Sequence, residues 1–227
     1  MIMPKEKTTF KKKLFDQFAK IGKALGSEIR LELLELVIQC PSAVEDLANK
    51  LHLPIANVSQ HLQVLKQAGV VNSTRQGKSI IYEVADSDVI DLFLKLQNVA
   101  HRHIGEVDNL VETYLTSKDS LEGISIDQVV KMVKRNEITL LDVRPKDEFA
   151  HSHIDGAINV TLEELEEYLR GLPKSKMVVA YCRGSYCIYS YEAVRRLREK
   201  GFKAMRTEEG IPNWLNMNLK LAKQDEQ

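Results

Sequence analysis

The spacing of apolar residues changes halfway along the chain, and this change limits the possible folds more than any other feature. Up to about residue 115 apolar residues recur at helical spacing, as in the stripe that starts at Val89 and ends at Tyr114. Further on, compact apolar strands at residues 138–143 and 177–181 alternate with short helical segments. The pattern predicts a multidomain protein: an α-helical domain, then an α/β domain with a mostly parallel sheet. A length of 227 residues suits two such domains.

Prolines and a polar stretch mark the predicted divisions. The polar residues 116–120 separate a domain at 1–117 from a domain at 118–227. In the first domain, residues 18–40 are predicted as one helical segment that ends at Pro41. Ser42 and Glu45 are predicted as the capping box of the next helix, and Pro54 precedes a third. A small β hairpin and a single long helix at 86–115 follow, which is the order of a winged helix-turn-helix domain.

Hydropathy and charge narrow the class of protein. The sequence has no apolar run of about 18 residues, so no membrane partner is predicted. Its start lacks the apolar stretch of a signal peptide, which favours a cytoplasmic location. The net charge is zero, yet seven lysines face only Glu6 and Asp16 in the first 23 residues. Residues 56–82 carry basic residues and no acidic one, and such local basic segments can bind a polyanion.

The third predicted helix, about residues 55–68, has the composition of a DNA-recognition helix. Val58, Leu62 and Leu65 would hold it on its own core, while polar side chains reach base edges in the major groove of double-stranded DNA. Basic residues at the hairpin tip would contact the DNA backbone or the minor groove. The predicted DNA contacts are Asn57, Ser59, Gln60, His61, Gln63, Lys66, Arg75 and Lys78.

Three segments of this half resemble the ArsR family of bacterial repressors. They are FAKIGKALGSEIRLELLELV, VEDLANKLHLPIANVSQHLQVLKQAGVV and RQGKSIIYEV, and the resemblance covers roughly residues 15–115. It implies a homodimer that pairs largely through its first and last helices. It also implies an imperfectly palindromic operator, which such repressors often release when a metal binds.

Most metal ligands that this resemblance would bring are absent. Residues 43–47 hold neither thiol of the arsenic- and cadmium-type site, and Cys40 lies three residues before them. The zinc-type pattern keeps Asp88 and His101 on the last helix. Its other two positions are Ile90 and Ile104. We therefore predict no metal site and no cofactor. One improvised cluster stays open: His101, His103 and Glu106.

Two of the three cysteines lie within six residues, in the stretch YCRGSYC at 181–187. Cys182 follows a predicted strand and precedes a predicted helix. The positive end of that helix, the loop N–H groups and Arg183 would stabilise a thiolate or a persulfide anion on Cys182. The predicted reactive loop continues through Arg183, Gly184, Ser185, Tyr186 and Cys187. An inert buried cysteine is the alternative. Because three cysteines cannot pair completely, free or redox-active thiols are favoured over a disulfide framework.

Four motifs in order resemble a rhodanese (sulfurtransferase) domain over roughly residues 122–219. They are LDVR with EF at 141–149, HIDGAIN at 153–159, the loop that Cys182 opens, and EGIPNW at 209–214. The resemblance implies sulfur transfer through a persulfide on Cys182, with Asp142 and Arg144 supporting the loop. Many rhodaneses carry Arg at the sixth loop position, where it helps to bind thiosulfate. Here Cys187 occupies it, either to attack a Cys182 persulfide or only to fill the helix start.

These features predict a DNA-binding transcriptional repressor that senses or transfers sulfane sulfur through Cys182, with Cys187 as a second thiol, to control operator binding. Its partners would be operator DNA, a second copy of the chain, and a sulfane-sulfur donor or thiol acceptor. One alternative is primarily a thiosulfate or persulfide sulfurtransferase with autoregulatory DNA binding. The other is an arsenic- or metal-responsive repressor that uses Cys40 with both loop thiols. Catalytic turnover and single-turnover sensing both fit these residues.

Overall fold

The computed structural model describes residues 4–115, 123–217, 219 and 221–223. The chain divides into two compact units, Met1–Val89 and Ile90–Gln227. The predicted linker at 116–120 and the predicted boundary after residue 117 lie outside the described residues. None of the helices in the described part combines the length and the apolarity that crossing a membrane requires.

The first unit has helices on a small antiparallel sheet. Its elements are α1 (Pro4–Leu25), α2 (Glu28–Gln39), β1 (Ser42–Ala43), α3 (Val44–Leu51), α4 (Ile55–Gln67), β2 (Val71–Gln76) and β3 (Ser79–Val84), and α5 (Ser87–His103) begins at its end. The sheet order is β1-β3-β2, and the β2–β3 hairpin turns at Gly77, whose φ of 62° suits glycine. Fully buried leucines from α2, α3 and α4 form its core: Leu33, Leu34, Leu47, Leu62 and Leu65.

Three local predictions for this half are wrong. The predicted helix at 18–40 is interrupted, because Ser27 is extended and separates α1 from α2. The predicted helix at 86–115 is interrupted at Ile104, which is also extended, so a separate helix α6 (Gly105–Tyr114) follows α5. Ser42 caps no helix: it lies in β1, and its hydroxyl donates to the Cys40 carbonyl at 3.1 Å. Ala43 takes the N-cap position of α3 instead.

The second unit contains the predicted parallel sheet. Its further elements are β4 (Gly123–Ile124), α7 (Ile126–Lys134), β5 (Ile138–Asp142), α8 (Lys146–His151), β6 (His153–Ile154), β7 (Ile158–Asn159), α9 (Leu165–Tyr168), β8 (Met177–Tyr181), α10 (Ile188–Glu199), β9 (Ala204–Thr207), α11 (Ile211–Asn216) and β10 (Leu221–Ala222). Five strands pair in the order β4-β9-β8-β5-β7, and each pair is parallel. β6 and β10 form a separate antiparallel pair.

Alternate residues of β8 pack into different apolar clusters. Val178, Ala180 and Cys182 belong to the cluster that includes Ala193, Val194 and Leu197 of α10. Val179 and Tyr181 belong to the cluster that includes Trp214. This alternation is the ordinary consequence of the twofold side-chain period of a strand. It places Cys182 in apolar surroundings at the carboxyl end of a central strand.

Candidate functional site

The loop between β8 and α10 carries the two neighbouring cysteines. Cys182 directly follows β8 and is only 2% exposed. Cys187 is the N-cap residue of α10, and its N–H donates to the Gly184 carbonyl at 3.1 Å, which closes a turn. The first N–H groups of a helix have no partner within the helix and favour a nearby negative charge. The loop therefore places both sulfurs at the start of a helix of 12 residues.

The two loop sulfurs are bonded to each other. Cys182 and Cys187 form a disulfide, and their Cα atoms lie 6.1 Å apart, within the range of about 4.4–6.8 Å that a disulfide spans. The third cysteine, Cys40, is buried in the first unit and takes no part in this bond. Its sulfur lies 3.5 Å from the Ser42 hydroxyl. The loop thus holds its two sulfurs as a disulfide.

Contacts from two neighbouring segments fix the backbone of the loop. The Ser185 hydroxyl donates to the Glu208 carbonyl at 2.6 Å, and the Tyr191 hydroxyl donates to the Ser185 carbonyl at 3.2 Å. Gly210 approaches so closely that an added Cβ would lie 2.3 Å from the Arg183 carbonyl oxygen. Only glycine leaves room for this contact. The segment before α11 therefore supports the reactive loop.

A fully buried ion pair lies at the end of the neighbouring strand β5. Arg144 Nη2 donates to Asp142 Oδ2 at 2.6 Å and to the Ser152 carbonyl at 2.7 Å, while Nε reaches both Asp142 oxygens at 3.1 Å. Burial opposes the Arg144 charge, but Asp142 outweighs it and keeps the pKa of Arg144 above its ordinary value. Between them in sequence, the Val143 N–H donates to the Tyr181 carbonyl at 3.1 Å, next to Cys182. The supporting role of Asp142 and Arg144 for the loop stays a prediction.

A second buried carboxylate takes up the charge of Arg183. Glu148 is fully buried, and its carboxylate accepts Arg183 Nη2 at 2.6 Å and Nε at 3.0 Å. The sequence led us to expect Arg183 as a cation that serves the Cys182 sulfur. The guanidinium is bound bidentately to Glu148, which offsets part of its charge, and its action on the sulfur stays a prediction. Sequence reasoning missed this pair, although Glu148 belongs to the motif at 141–149.

In the first unit, α4 presents a polar face. Val58, Leu62 and Leu65 are fully buried, and Gln60 and Gln63 are exposed. At 100° per residue, Asn57 and His61 lie on one flank of this face and Ser59 and Lys66 on the other. The predicted residues therefore surround the exposed face and do not form a single row. Sequence reasoning missed Gln67, which is exposed and continues the row of Gln60 and Gln63.

The hairpin carries the two predicted basic residues close to its tip. Arg75 and Lys78 are both exposed, and Arg75 Nε donates to the Gly77 carbonyl at 3.2 Å. Lys66 reaches β2 from α4, where Nζ donates to the Ser73 hydroxyl at 2.7 Å. Ser73 thereby orients one of the predicted phosphate-binding lysines, a role that the sequence pattern did not indicate.

Comparison with known proteins assigns both halves. Residues 27–73 match the model of the arsR family of bacterial regulatory proteins, and residues 125–217 match the rhodanese-like domain. The HTH-type transcriptional regulator Rv0324 of Mycobacterium tuberculosis is 37% identical over 201 residues, which make up 88% of either chain. This chain belongs to the ArsR family. It is a DNA-binding transcriptional regulator with a C-terminal rhodanese-like domain.

Each half of this ArsR-family regulator also has its own relatives. Thiosulfate sulfurtransferase GlpE of Coxiella burnetii is 34% identical over 73 residues, which are 32% of this chain and 66% of that enzyme. A solution structure of a homodimeric winged helix-turn-helix DNA-binding domain from Mycobacterium bovis is 39% identical. The match covers 41% of this chain and 87% of the Mycobacterium bovis chain, with a TM-score of 0.40.

In the regulator's second unit, a side chain of the reactive loop contacts α5. The rings of Tyr186 and His101 lie 6.2 Å apart between centroids and are inclined by 49°. His101 Nδ1 lies 3.2 Å from Asp108 Oδ1, so this pair links α5 with α6 across the interruption at Ile104. Burial raises the pKa of Tyr186, and the nearby Asp108 and Tyr191 raise it further. The described residues contain no group of three or more potential ligands placed to hold a metal ion, and His101 pairs with Asp108.

Proposed function

We propose that this regulator is a cytoplasmic, homodimeric repressor whose affinity for operator DNA is set by the state of Cys182 and Cys187. The bond between these two sulfurs at the start of α10 carries the proposal. A loop that can be a dithiol or a disulfide has two chemical states, and a sensor needs such a two-state element. Sulfane sulfur would convert the one state into the other.

The reaction begins with the dithiol. The Cys182 thiolate attacks the outer sulfur of a persulfide R–S–SH, the donor's S–S bond breaks, and the thiolate R–S⁻ leaves and takes up a proton. The Cys187 thiolate then attacks Cys182 Sγ, expels HS⁻ and closes the disulfide. Two protein thiols and one persulfide become one disulfide, one low-molecular-weight thiol and hydrogen sulfide. Both sulfurs needed for the second step lie in one loop.

Exposed apolar surfaces support the homodimer. On α1, Phe10, Phe15 and Phe18 are each more than half exposed, and α5 exposes Leu92 and Val99. Soluble proteins rarely leave such rows uncovered, and a second copy of the chain would cover them. A twofold dimer would present two α4 helices to successive major grooves of a palindromic operator. Gln60 and Gln63 would then lie close to base edges.

The contact between Tyr186 and His101 supports coupling between the two functions. Tyr186 is adjacent to Cys187, so closure of the disulfide constrains the residue whose ring lies against His101. His101 belongs to α5, which exposes Leu92 and Val99. A change of the loop would therefore act on a proposed dimer helix, and with it on the spacing of the two recognition helices.

The decisive experiment measures DNA affinity and the chemical state of the loop in the same samples. Operator fragments would be selected from random DNA by the reduced protein, and affinity would be measured at fixed salt before and after treatment with glutathione persulfide. We expect a loss of affinity of about tenfold or more, together with a mass loss of two hydrogens, since coupling free energies are typically about 1–3 kcal/mol. Cys182→Ser should abolish both changes. A disulfide formed without any loss of affinity would refute the proposal.

His101→Ala tests the coupling separately from the chemistry. We expect this variant to bind operator normally when reduced and to form the disulfide, while its affinity changes much less on oxidation. His103→Ala is the matched control, since His103 lies on the same helix, two residues away and on a different face. Equal oxidation responses in the two variants would show that the His101 contact does not carry the signal.

A second function, sulfurtransferase activity, is favoured by the likeness to a thiosulfate sulfurtransferase. Sustained turnover with thiosulfate and cyanide that is lost in Cys182→Ser would support it. The neutralised Arg183 and the cysteine at the sixth loop position argue against efficient use of thiosulfate. A single round of sulfur transfer, ending in the disulfide, fits these features better.

A further inference from the structure

A small cavity adjoins the apolar cluster that contains Cys182 and against which Cys187 packs. Its volume is about 260 Å³, and it is lined by Val143, Pro145, Lys146, Thr161, Leu162, Glu163 and Tyr189. The first three follow β5 and the next three follow β7, so the cavity lies at the carboxyl ends of parallel strands. Ligands of open α/β sheets generally bind at this edge. The volume is below the ~300–1,000 Å³ of pockets for drug-sized molecules, which limits the occupant to a small one.

The lining of the cavity is continuous with the surroundings of the disulfide. Val143 is buried in the same apolar cluster as Cys182, and Leu162 and Cys187 pack against that cluster. The Val143 N–H donates a hydrogen bond to the carbonyl of Tyr181, the residue immediately before Cys182. Tyr189 lies in the first turn of α10, two residues after Cys187. A ligand in the cavity would therefore occupy space next to the Cys187 end of the loop.

The charges of the cavity favour a zwitterion over an anion. Lys146 Nζ is paired with the Glu164 carboxylate, which also accepts the Thr161 hydroxyl at 3.3 Å. The hydrogen bond from Lys146 is the main reason why the pKa of Glu164 lies below its ordinary value. Glu163 is exposed in the lining and is a second carboxylate beside one cation. The lining offers Glu163 to an ammonium group, and it offers Lys146 to a carboxylate that would replace Glu164.

We propose that this cavity binds the sulfur donor, and that the donor is the persulfide of a small α-amino acid of the cysteine type. This inference rests on the proposed function and names its substrate class. The donor ammonium group binds Glu163, its carboxylate binds Lys146, and its short side chain carries the sulfane sulfur towards the loop. The outer sulfur is transferred to the Cys182 thiolate, and the donor leaves as the free amino-acid thiol after taking up one proton. Glu163 and Lys146 are binding residues and take no part in the bond exchange.

Three donors and two variants test the assignment on the full-length, pre-reduced protein. The donors are the persulfides of cysteine, of N-acetylcysteine, which lacks the ammonium group, and of cysteamine, which lacks the carboxylate. Rates of disulfide formation would be followed against donor concentration by quenched-flow mass spectrometry. Glu163→Gln should raise the half-saturating concentration about tenfold or more for the two donors with an ammonium group, as expected for a lost charged hydrogen bond. Lys146→Gln should do so for the two donors with a carboxylate.

Glu167→Gln is the matched control, since Glu167 is an exposed acid of α9 outside the cavity. We expect it to react with all three donors as the unchanged protein does. Equal effects of a cavity variant on all three donors, or rates that never saturate, would overturn the donor site while leaving the redox function intact. If no persulfide closes the disulfide even in the unchanged protein, the proposed function itself fails.

Discussion

Two arginine–carboxylate pairs in the rhodanese-like domain differ in what they support. Asp142 and Arg144 are both fully buried, and Arg144 also holds the Ser152 carbonyl. Glu148 is equally buried, but its partner Arg183 is 16% exposed and belongs to the reactive loop. The first pair stabilises the end of a strand. The second fixes a loop residue and offsets part of the charge of Arg183.

The difference shows that the residue type alone does not give the role of a charge near a reactive sulfur. An unpaired arginine beside Cys182 would stabilise its thiolate and attract anionic donors. Paired with a buried carboxylate, the same residue positions the backbone and adds little net charge. We then expect the sulfur to depend mainly on the start of α10 for stabilisation of a negative charge.

Loss of the fully buried pair should have the largest effect. Arg144→Leu leaves Asp142 buried without its cation, and we expect the free energy of unfolding to fall by about 3–5 kcal/mol. The single tryptophan, Trp214, is buried in this domain, so its fluorescence during urea unfolding reports the change. Arg135→Leu is the control, because Arg135 and its partner Glu137 are largely exposed. If the free energy of unfolding fell equally little in both variants, the buried pair would contribute no more stability than the exposed one.

A smaller effect is expected from the second pair. Glu148→Gln keeps the shape and one acceptor for Arg183 but removes the charge, so stability should fall by about 1–3 kcal/mol. The freed guanidinium would then face the loop, and the first transfer of sulfur from thiosulfate to Cys182 should become faster. Mass spectrometry of the single-turnover product would measure that rate, with Glu137→Gln as an exposed control. An unchanged thiosulfate rate would show that the charge of Arg183 does not reach the sulfur.

The comparison also shows which features the sequence can predict. Strand β8 was predicted at its observed bounds, because a short apolar run between polar segments has few alternatives. The elements of the winged helix-turn-helix were predicted because prolines and glycines indicate helix ends and turns in the sequence. The interruptions at Ser27 and Ile104 were missed because apolar spacing continues across them.

Pairings between distant residues were not accessible from patterns along the chain. Glu148 and Arg183 are 35 residues apart, and His101 and Tyr186 belong to different predicted domains. Charge and ring contacts of this kind depend on tertiary packing, which periodicity does not specify. A bond between Cys182 and Cys187 was one of the predicted alternatives, because a single loop holds both.

A third carboxylate, for which the described residues show no ion pair, extends the comparison and should give the smallest effect. Glu209 is the first residue of the EGIPNW segment, and its Oε2 accepts the Ile126 N–H at 3.2 Å at the start of α7. Burial raises the pKa of Glu209, and Glu208 and Asp127 add to it. Because the folded-state pKa is raised, the stabilisation contributed by protonated Glu209 is complete below the ordinary pKa of 4.5. It is lost as the pH rises through the folded-state value.

Glu209→Gln keeps a hydrogen-bond acceptor without a charge, so this variant should unfold at a higher urea concentration near neutral pH. The gain in free energy of unfolding should be a few tenths of a kcal/mol, because the group is only half-buried. Urea midpoints from Trp214 fluorescence between about pH 4 and about pH 7 would measure the difference, with Glu167→Gln as the control. Parallel pH curves for Glu209→Gln and the unchanged protein would mean that Glu209 bears its charge at no cost.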